Sequence, residues 1–555
     1  MPESDDALNL VAAPVDRDVF SDDVALVEAV ERHEAKGHLA DLRDLGRLVG
    51  AARSAQWAEA VDRHPPTLRA YDAFGRRIDE VDYHPSWHRL LQAAVRAGLT
   101  AGPWELDAPG RAHTARAAGV LVWSQLETGA LSTLTTSYAT VPALRSDDQL
   151  ETIWLPRLAS RSYEAGLRPP GDKLGSLAGV AATERQGGAD LSTGTTTARL
   201  ESSAGGPLAG GPNYRLTGQK WFVSSPMADV QVTLAEAPGG QTCFLVPRVL
   251  DDGTVNPLRV MRLKDMVGTR SNPPAEIELD GTWAVRLGEE GRGVRALTGM
   301  YSAARLDNVL RSAGQMRAAL TRAVHHARHR EVLGSALVEK PLMQNVLADL
   351  AMESEAATVL AMRLAAAVDA GETELLRSCV PVAKFWVCKR APAVVAEAVE
   401  CLGGNGYVEE HGLGRLYRDA LAGSMWEGPG NVSALDVLKS MAVQPRSMEV
   451  LLAEIDRARG ADERLDRAMD EVAGFLQAAA REARRDPAAV EAGARWMVQR
   501  LAVVLQASLL VRCSPPSVAA TFLTTRVAAG VGAVFGTLPV GRTVTRTIVE
   551  RALPE

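Results

Sequence analysis

The chain has 555 residues, 46% hydrophobic and 23% charged, which is too long for one ordinary core and too apolar for a disordered protein; about three or four domains are expected. Its formal net charge of −7 and pI near 5.9 exclude a global attraction to nucleic acid or to an anionic membrane and leave only a local basic face open. Five cysteines, Cys243, Cys379, Cys388, Cys401 and Cys513, form no CxxC pair, which excludes a disulfide scaffold and a zinc ribbon and points to a reducing cytoplasm.

The opening MPESDDALNLV is acidic and has no apolar h-region, so no signal peptide is expected. Residues 1–175 read as mostly helical, with Ala/Leu-rich stretches at Pro85–Ala97 and Ala112–Thr128, and Pro169-Pro170-Gly171 marks a linker. Residues 176–284 turn strand-like. Thr193–Leu200, Tyr214–Thr217, Trp221–Ser225, Val230–Ala235, Cys243–Val246 and Ala275–Leu279 are short and often β-branched, with Gly/Pro/Asn/Asp turns between them and a Gly/Pro-rich loop at Gly205–Pro212. Residues 285–445 are helical again, with runs at Met300–Arg330, Met343–Ala370 and Val380–Leu402. Leu306, Val309, Leu310 and Ala313 recur at helical spacing, as do Leu347, Leu350, Ala351 and Val359, the stripes of helices packed together. Residues 446–555 open amphipathic and end apolar. The uncharged stretches between Arg500 and Arg512 and between Arg526 and Arg542 fall short of the roughly 20 residues a membrane span needs, so both read as buried core and no membrane partner is expected. The order is helices, a small sheet, helices and a helical extension, an α+β chain whose natural ligand site is a crevice between sheet and helices.

Four stretches carry possible chemistry. In Thr183-Glu184-Arg185-Gln186-Gly187-Gly188-Ala189-Asp190 the paired glycines permit a tight turn with exposed amides, suited to phosphate or a flavin edge, although an ordinary loop has the same look. In Gly218-Gln219-Lys220-Trp221-Phe222-Val223-Ser224-Ser225, alternation places Trp221 with Val223 and Phe222 with Ser224, an aromatic and a hydroxyl that suit a planar ring or a core. Gly403-Gly404-Asn405-Gly406-Tyr407 stops a helix and allows close backbone approach, but no strand precedes it, so it is no Rossmann turn. Ser424-Met425-Trp426-Glu427-Gly428-Pro429-Gly430-Asn431 puts a carboxylate beside an aromatic in a Gly/Pro turn, either a solvated loop or a desolvated base. His325, His326 and His329 lack an acidic partner and are flanked by arginines, so no metal site is expected.

Taken in order, these motifs resemble the acyl-CoA dehydrogenase family from about Gly171 to Met441. The resemblance includes Gly288-Glu289-Glu290-Gly291-Arg292-Gly293 and Arg415-Leu416-Tyr417-Arg418-Asp419. Arg69-Ala70-Tyr71-Asp72, Gly75-Arg76-Arg77, His84-Pro85-Ser86-Trp87-His88 and the helical extension are similar to the subgroup of the alkylation-response protein AidB. The resemblance implies an N-terminal helical domain over 1–175, a central antiparallel β-domain over 176–284, a four-helix bundle over 285–445 and an additional C-terminal helical domain over 446–555. It implies an FAD-dependent oxidoreductase of acyl thioesters, a homotetramer in the cytoplasm.

By the same resemblance Glu427 is the catalytic base, which takes the α-proton while a β-hydride leaves to flavin N5. The minority base position falls on Ala304, which cannot take a proton. Thr183, Gly187, Gly188, Phe222 and Ser224 are expected around the flavin, Arg330 at the pyrophosphate of a neighbouring subunit, Glu400, Gly403 and Gly404 near the adenine-side phosphates, and Trp426, Gly430 and Asn431 at the cofactor near the Glu427 turn. Ala189, Leu333 and Pro429 stand where the family carries a polar or aromatic contact, so weaker FAD retention is expected. The alternative implied by the subgroup is a flavoprotein that binds double-stranded DNA through its C-terminal domain and protects it from alkylation with little acyl-CoA turnover. From Arg446 onward there are 15 arginines, 13 acids and no lysine. That near balance reads as a solvated face, with Arg481, Arg484, Arg485, Arg495 and Arg500 as the competing basic face.

Overall fold

A computed structural model of the protein describes residues 9–202, 211–528, 538 and 540–553. The start of the acidic N-terminal stretch, most of the Gly205–Pro212 loop and most of the Arg526–Arg542 stretch lie outside the described residues. By packing, the chain divides into a sheet unit, Gln56–Ala112 with Glu127–Ala304, and a helical unit, Met1–Ala55 with His113–Leu126 and Arg305–Glu555.

Among its described residues the sheet unit holds nine strands. A hairpin of β1 (Thr67–Tyr71) and β2 (Arg77–Asp82) precedes a seven-stranded sheet of β3 (Ala178–Ala181), β4 (Thr197–Ser202), β5 (Asn213–Val223), β6 (Val230–Ala237), β7 (Gly240–Pro247), β8 (Leu258–Leu263) and β9 (Ala275–Leu287). Pairings run β3-β6-β4-β5-β9-β7, β8 joins β9, and β7 returns to β6, a closed ring that leaves few free edges. The sheet is antiparallel except for β3, which runs parallel to β6, and a single parallel bridge between β4 and β6. Both sheet faces are buried, and alternation sorts them. Cys243 and Leu245 belong to one core with Trp154, Trp283 and the Gly129–Leu144 helix, while Phe244 and Val246 belong to a second with Tyr214, Val260 and Ile277.

The hairpin corrects the mostly helical reading of residues 1–175. Its alternation is hidden by charge: Arg77 pairs with Asp79, whose carboxylate also accepts the Val260 amide. Predicted Tyr214–Thr217 and Trp221–Ser225 are joined in one strand, β5, because Gly218 lets it pass Thr196 where any Cβ would lie 2.5 Å from the Thr196 hydroxyl. Ala275–Leu279 likewise grows to Leu287. Asp280-Gly281, a turn signal in sequence, is a bulge with Gly281 at φ 66, across which the β5 register skips one residue.

In the helical unit the three predicted runs are the Gly293–His329, Pro341–Asp369 and Thr373–Cys401 helices, the first belonging to this unit from Arg305 on. Leu413–Gly423 and Gly430–Val443 follow, then Pro445–Asp456, Glu463–Glu482, Pro487–Cys513, Pro516–Phe522 and Arg542–Ala552. Among the described residues Pro487–Cys513 alone is long and apolar enough to cross a membrane, and two-thirds of its apolar window is buried within the protein. The extension is tied to the Pro341–Asp369 helix by charge. Arg526 reaches Asp349 and Glu353, and Arg551 reaches Glu355 and Glu28; the three acids on that helix are buried.

Glu454 collects Arg363 at 3.0 Å, Arg512 at 2.8 Å and Arg457 at 3.2 Å. Burial alone would raise its carboxyl, but the hydrogen bonds from Arg363 and Arg512 prevail and hold it at about 2. A carboxylate held below its unfolded value of about 4.3 stabilises the fold above that pH and ceases to as pH falls toward the folded value. Glu454→Gln is therefore expected to flatten the acid limb of stability against pH between about 4.3 and 2, read from urea midpoints at successive pH values.

Candidate functional site

In the helical unit the site is a turn between two helices. The Leu413–Gly423 helix ends at Gly423, and the Gly430–Val443 helix begins six residues after Ser424. Between them Glu427 and Gly428 take consecutive positive φ values, 56 and 100, so a non-glycine residue sits in the left-handed region. That strain, of order 1–3 kcal/mol, persists only where surroundings impose it. Three carbonyls of the turn are held by cations. Arg305 Nε donates to Glu427 O at 2.9 Å, and Lys384 Nζ donates to Gly428 O and, at 3.4 Å, to Ser424 O. Arg305 is fixed in turn by Asp436 at 2.6 Å, which also accepts from Arg377 at 2.7 Å.

Glu427 is half-buried, and among the described residues nothing hydrogen-bonds its carboxylate. Burial pushes that carboxyl up, opposed by the charges of Arg305 and Lys384. A desolvated carboxylate with an unoccupied acceptor face is a competent base. Trp426 is half-buried, with the Arg311 guanidinium 4.7 Å from its ring centre. Gly430 is buried against Lys389, whose Nζ would lie 2.8 Å from any Cβ there. Asn431, expected at the cofactor, accepts from Arg495 at 2.7 Å, so both residues are engaged with one another. Ala304 is buried and has no titratable group.

Elsewhere in that unit, Gly403 and Gly404 follow the Thr373–Cys401 helix with no atom within 4 Å of a built Cβ, so their backbone is open to approach; Glu400 is exposed beside them. Arg330 donates to the main-chain carbonyl of Asn9, and the Asn9 side chain exchanges two hydrogen bonds with Glu331. The arginine expected at the pyrophosphate thus rests on the chain's own N-terminal segment. His325 and His329 bond the carbonyls of Ala12 and His325, and among the described residues no group of side chains is arranged to hold a metal ion.

In the sheet unit Glu184 is buried and satisfied six ways, by Lys220 and the Thr196 hydroxyl at 2.6 Å, Thr195 N at 2.7 Å, Gln186 at 2.8 Å, the Thr195 hydroxyl at 3.0 Å and Thr196 N at 3.2 Å. Burial would raise its carboxyl; Lys220 and the Thr donors bring it to about 2. This knot folds the 183–196 turn, where Glu184 and Gly187 form an isolated bridge and Gly188 lies 3.1 Å (built Cβ) from Thr183. Thr183 is half-buried, and its carbonyl accepts from Trp221 N at 2.9 Å. Phe222 is 46% exposed, a large ring left open at the end of β5 with Lys264 Nζ 4.6 Å from its centre. Ser224 turns its hydroxyl onto β3, accepting from Val180 N at 3.0 Å.

These residues fit the expected flavin: a half-exposed aromatic, a neighbouring threonine and an exposed glycine backbone at Gly188. Lys384, Arg305 and Glu184 were not singled out in sequence. A lysine or arginine on an apolar helix gives no sign of facing inward, whereas the repeated Thr195-Thr196 opposite Thr183-Glu184 was a usable hint.

Residues 9–165 match the adaptive response protein AidB N-terminal domain, residues 179–282 the acyl-CoA dehydrogenase middle domain, and residues 291–442 the acyl-CoA dehydrogenase C-terminal domain. The chain is 40% identical over 479 residues to the putative acyl-CoA dehydrogenase AidB of Escherichia coli K12, spanning 84% of this chain and 86% of that one. It superposes on Caenorhabditis elegans ACDH-11, solved in complex with C11-CoA, with a TM-score of 0.81 at 25% identity over 97% and 96% of the two chains. An acyl-CoA dehydrogenase of Bacillus anthracis complexed with FAD gives 0.62 at 19% identity over 84% and 79%.

Proposed function

Because the chain belongs to the acyl-CoA dehydrogenase family, we propose that it is an FAD-dependent oxidoreductase of acyl thioesters in which Glu427 takes the α-proton. The observation that carries this reading is the Glu427 turn: a strained, cation-pinned backbone presenting a carboxylate that burial keeps basic and that, among the described residues, accepts no hydrogen bond. An α-proton beside a thioester carbonyl is weakly acidic, so a base raised toward working pH gains driving force for the transfer. FAD, when bound, supplies the acceptor for the β-hydride. In the sheet unit Phe222 and Thr183 would orient the ring and the Gly187-Gly188 amides would offer donors to phosphate oxygens; in the helical unit the Gly403-Gly404 amides would do the same and the half-buried Trp426 would help to exclude water. An anaerobic absorption spectrum with a panel of acyl-CoAs tests the reading; loss of the flavin band on mixing supports it, and an unchanged band with every chain length overturns it.

FAD retention is expected to be weak. Ala189 and Pro429 are exposed without a polar side chain, where each charge-assisted hydrogen bond would contribute about 1.5–3 kcal/mol, and Leu333, 94% exposed, offers no aromatic ring. Purified protein should hold clearly less than one FAD per subunit after dialysis. A homotetramer is supported by Leu333, Tyr407 and Leu342, apolar side chains left 94%, 91% and 84% exposed, and a cytoplasmic setting by five free cysteines.

A second reading, DNA binding and protection by an AidB-like flavoprotein, rests on Arg481, Arg484 and Arg485, which are exposed at the end of the Glu463–Glu482 helix. The wider basic face is reduced, since Arg495 is bonded to Asn431 and Arg500 pairs with Glu471. Duplex affinity that falls with added salt and is weakened by replacing those three arginines supports this reading; affinity indifferent to salt removes it.

A further inference from the structure

Lys384 is 1% exposed, yet among the described residues it has no carboxylate within ion-pair distance. Its ammonium instead spends two donors on the carbonyls of Ser424 and Gly428, the residues on either side of Trp426-Glu427. A buried lysine left without an acid is costly unless its charge is used. We propose that Lys384 is a positioning residue for the base: its ammonium pins the turn that carries Glu427, and its charge keeps the Glu427 carboxyl able to ionise, so activity ends when Lys384 loses its proton.

The other charged groups around the turn do not duplicate this role. Arg305, from the Gly293–His329 helix, holds the Glu427 carbonyl but is neutralised by Asp436 of the Gly430–Val443 helix, which Arg377 shares. Arg311 lies over Trp426. On the lysine's own helix Lys389 lies 5.5 Å from the Phe385 ring centre, and Cys388, its thiol pushed up by burial, donates to the Asn308 carbonyl at 3.4 Å. Of the two cations that act on Glu427, Lys384 is therefore the one that no acid among the described residues offsets. Burial brings its ammonium down to about 8, resisted by Cys388 and then Glu427 and reinforced by Arg305 and Lys389, within reach of ordinary working pH. The two groups form a linked pair: the carboxyl must be ionised and the ammonium protonated at once, which gives activity a lower limit set by one and an upper limit set by the other.

For activity the proposal rests on Glu427 being the base, so one readout is independent of turnover. The Glu427 carboxyl is titrated by infrared difference spectroscopy of the full chain against Glu427→Gln, in wild type, Lys384→Met and Lys384→Arg. Lys384→Met should raise the proton affinity of Glu427 tenfold or more, and Lys384→Arg should leave it near wild type. In anaerobic flavin bleaching with an acyl-CoA, wild type should lose rate in alkali, Lys384→Arg should keep its rate there, and Lys384→Met should lower kcat more than it raises KM. An unmoved Glu427 titration in Lys384→Met, or an alkaline loss that survives in Lys384→Arg, overturns the proposal. If the methionine variant does not fold, the arginine variant decides through that alkaline limb. If wild type bleaches with no acyl-CoA, the functional reading fails while the infrared titration still decides the role of Lys384.

Discussion

Glu427→Gln is expected to abolish flavin reduction by acyl-CoA while the protein stays folded and keeps its FAD. Loss of a positioned general base costs about 10²–10⁴-fold in rate, and Ala304, at the alternative base position, offers nothing to take over. Stopped-flow bleaching at saturating acyl-CoA measures the loss, and a residual rate within threefold of wild type would transfer the role elsewhere. The same substitution should stabilise the protein at neutral pH. A carboxyl raised in the folded state favours folding only while protonated, and that contribution disappears as pH rises through its folded value. Glutamine removes the penalty of ionising a desolvated group, so the thermal midpoint of the variant should exceed that of wild type at pH 8 and approach it in acid.

Arg526→Met is expected to give the largest loss of stability. Arg526 spans Asp349 and Glu353, which are 0% and 3% exposed, and Glu353 is held below its usual range although burial opposes this, because Arg390 and Arg526 attract it. Removing one partner of a buried charge cluster typically costs about 3–5 kcal/mol, since the buried carboxylates remain in place with one cation fewer. Urea unfolding should show it as a lower midpoint. The triple variant Arg526→Met, Asp349→Leu, Glu353→Leu should recover most of the loss, because packed apolar residues of similar volume replace such clusters at little cost. A single variant as stable as wild type would mean that the extension is held by its apolar contacts alone.

Periodicity revealed the long helices and most strands, because those segments bury regular faces. It missed the β1–β2 hairpin, where Arg77, Asp79 and Glu80 interrupt the apolar alternation, and it ended the last strand at Leu279, although the glycine at 281 only bulges a continuing strand. At the site, the order of motifs pointed to Glu427, Phe222 and the paired glycines. What holds the Glu427 turn was not legible: Lys384 and Arg305 are ordinary basic residues in helical sequence until folding turns them toward three carbonyls. Nor could the sequence show that Arg330 would rest on Asn9 or that Asn431 and Arg495 would take one another.

The left-handed backbone at position 427 has a consequence for descent. Glycine would occupy that conformation without strain, and asparagine with less than glutamate. In a duplicated copy freed from proton abstraction, mutation at this codon would be favoured by folding itself, so a glutamate kept there against that pull marks a lineage still selected for chemistry.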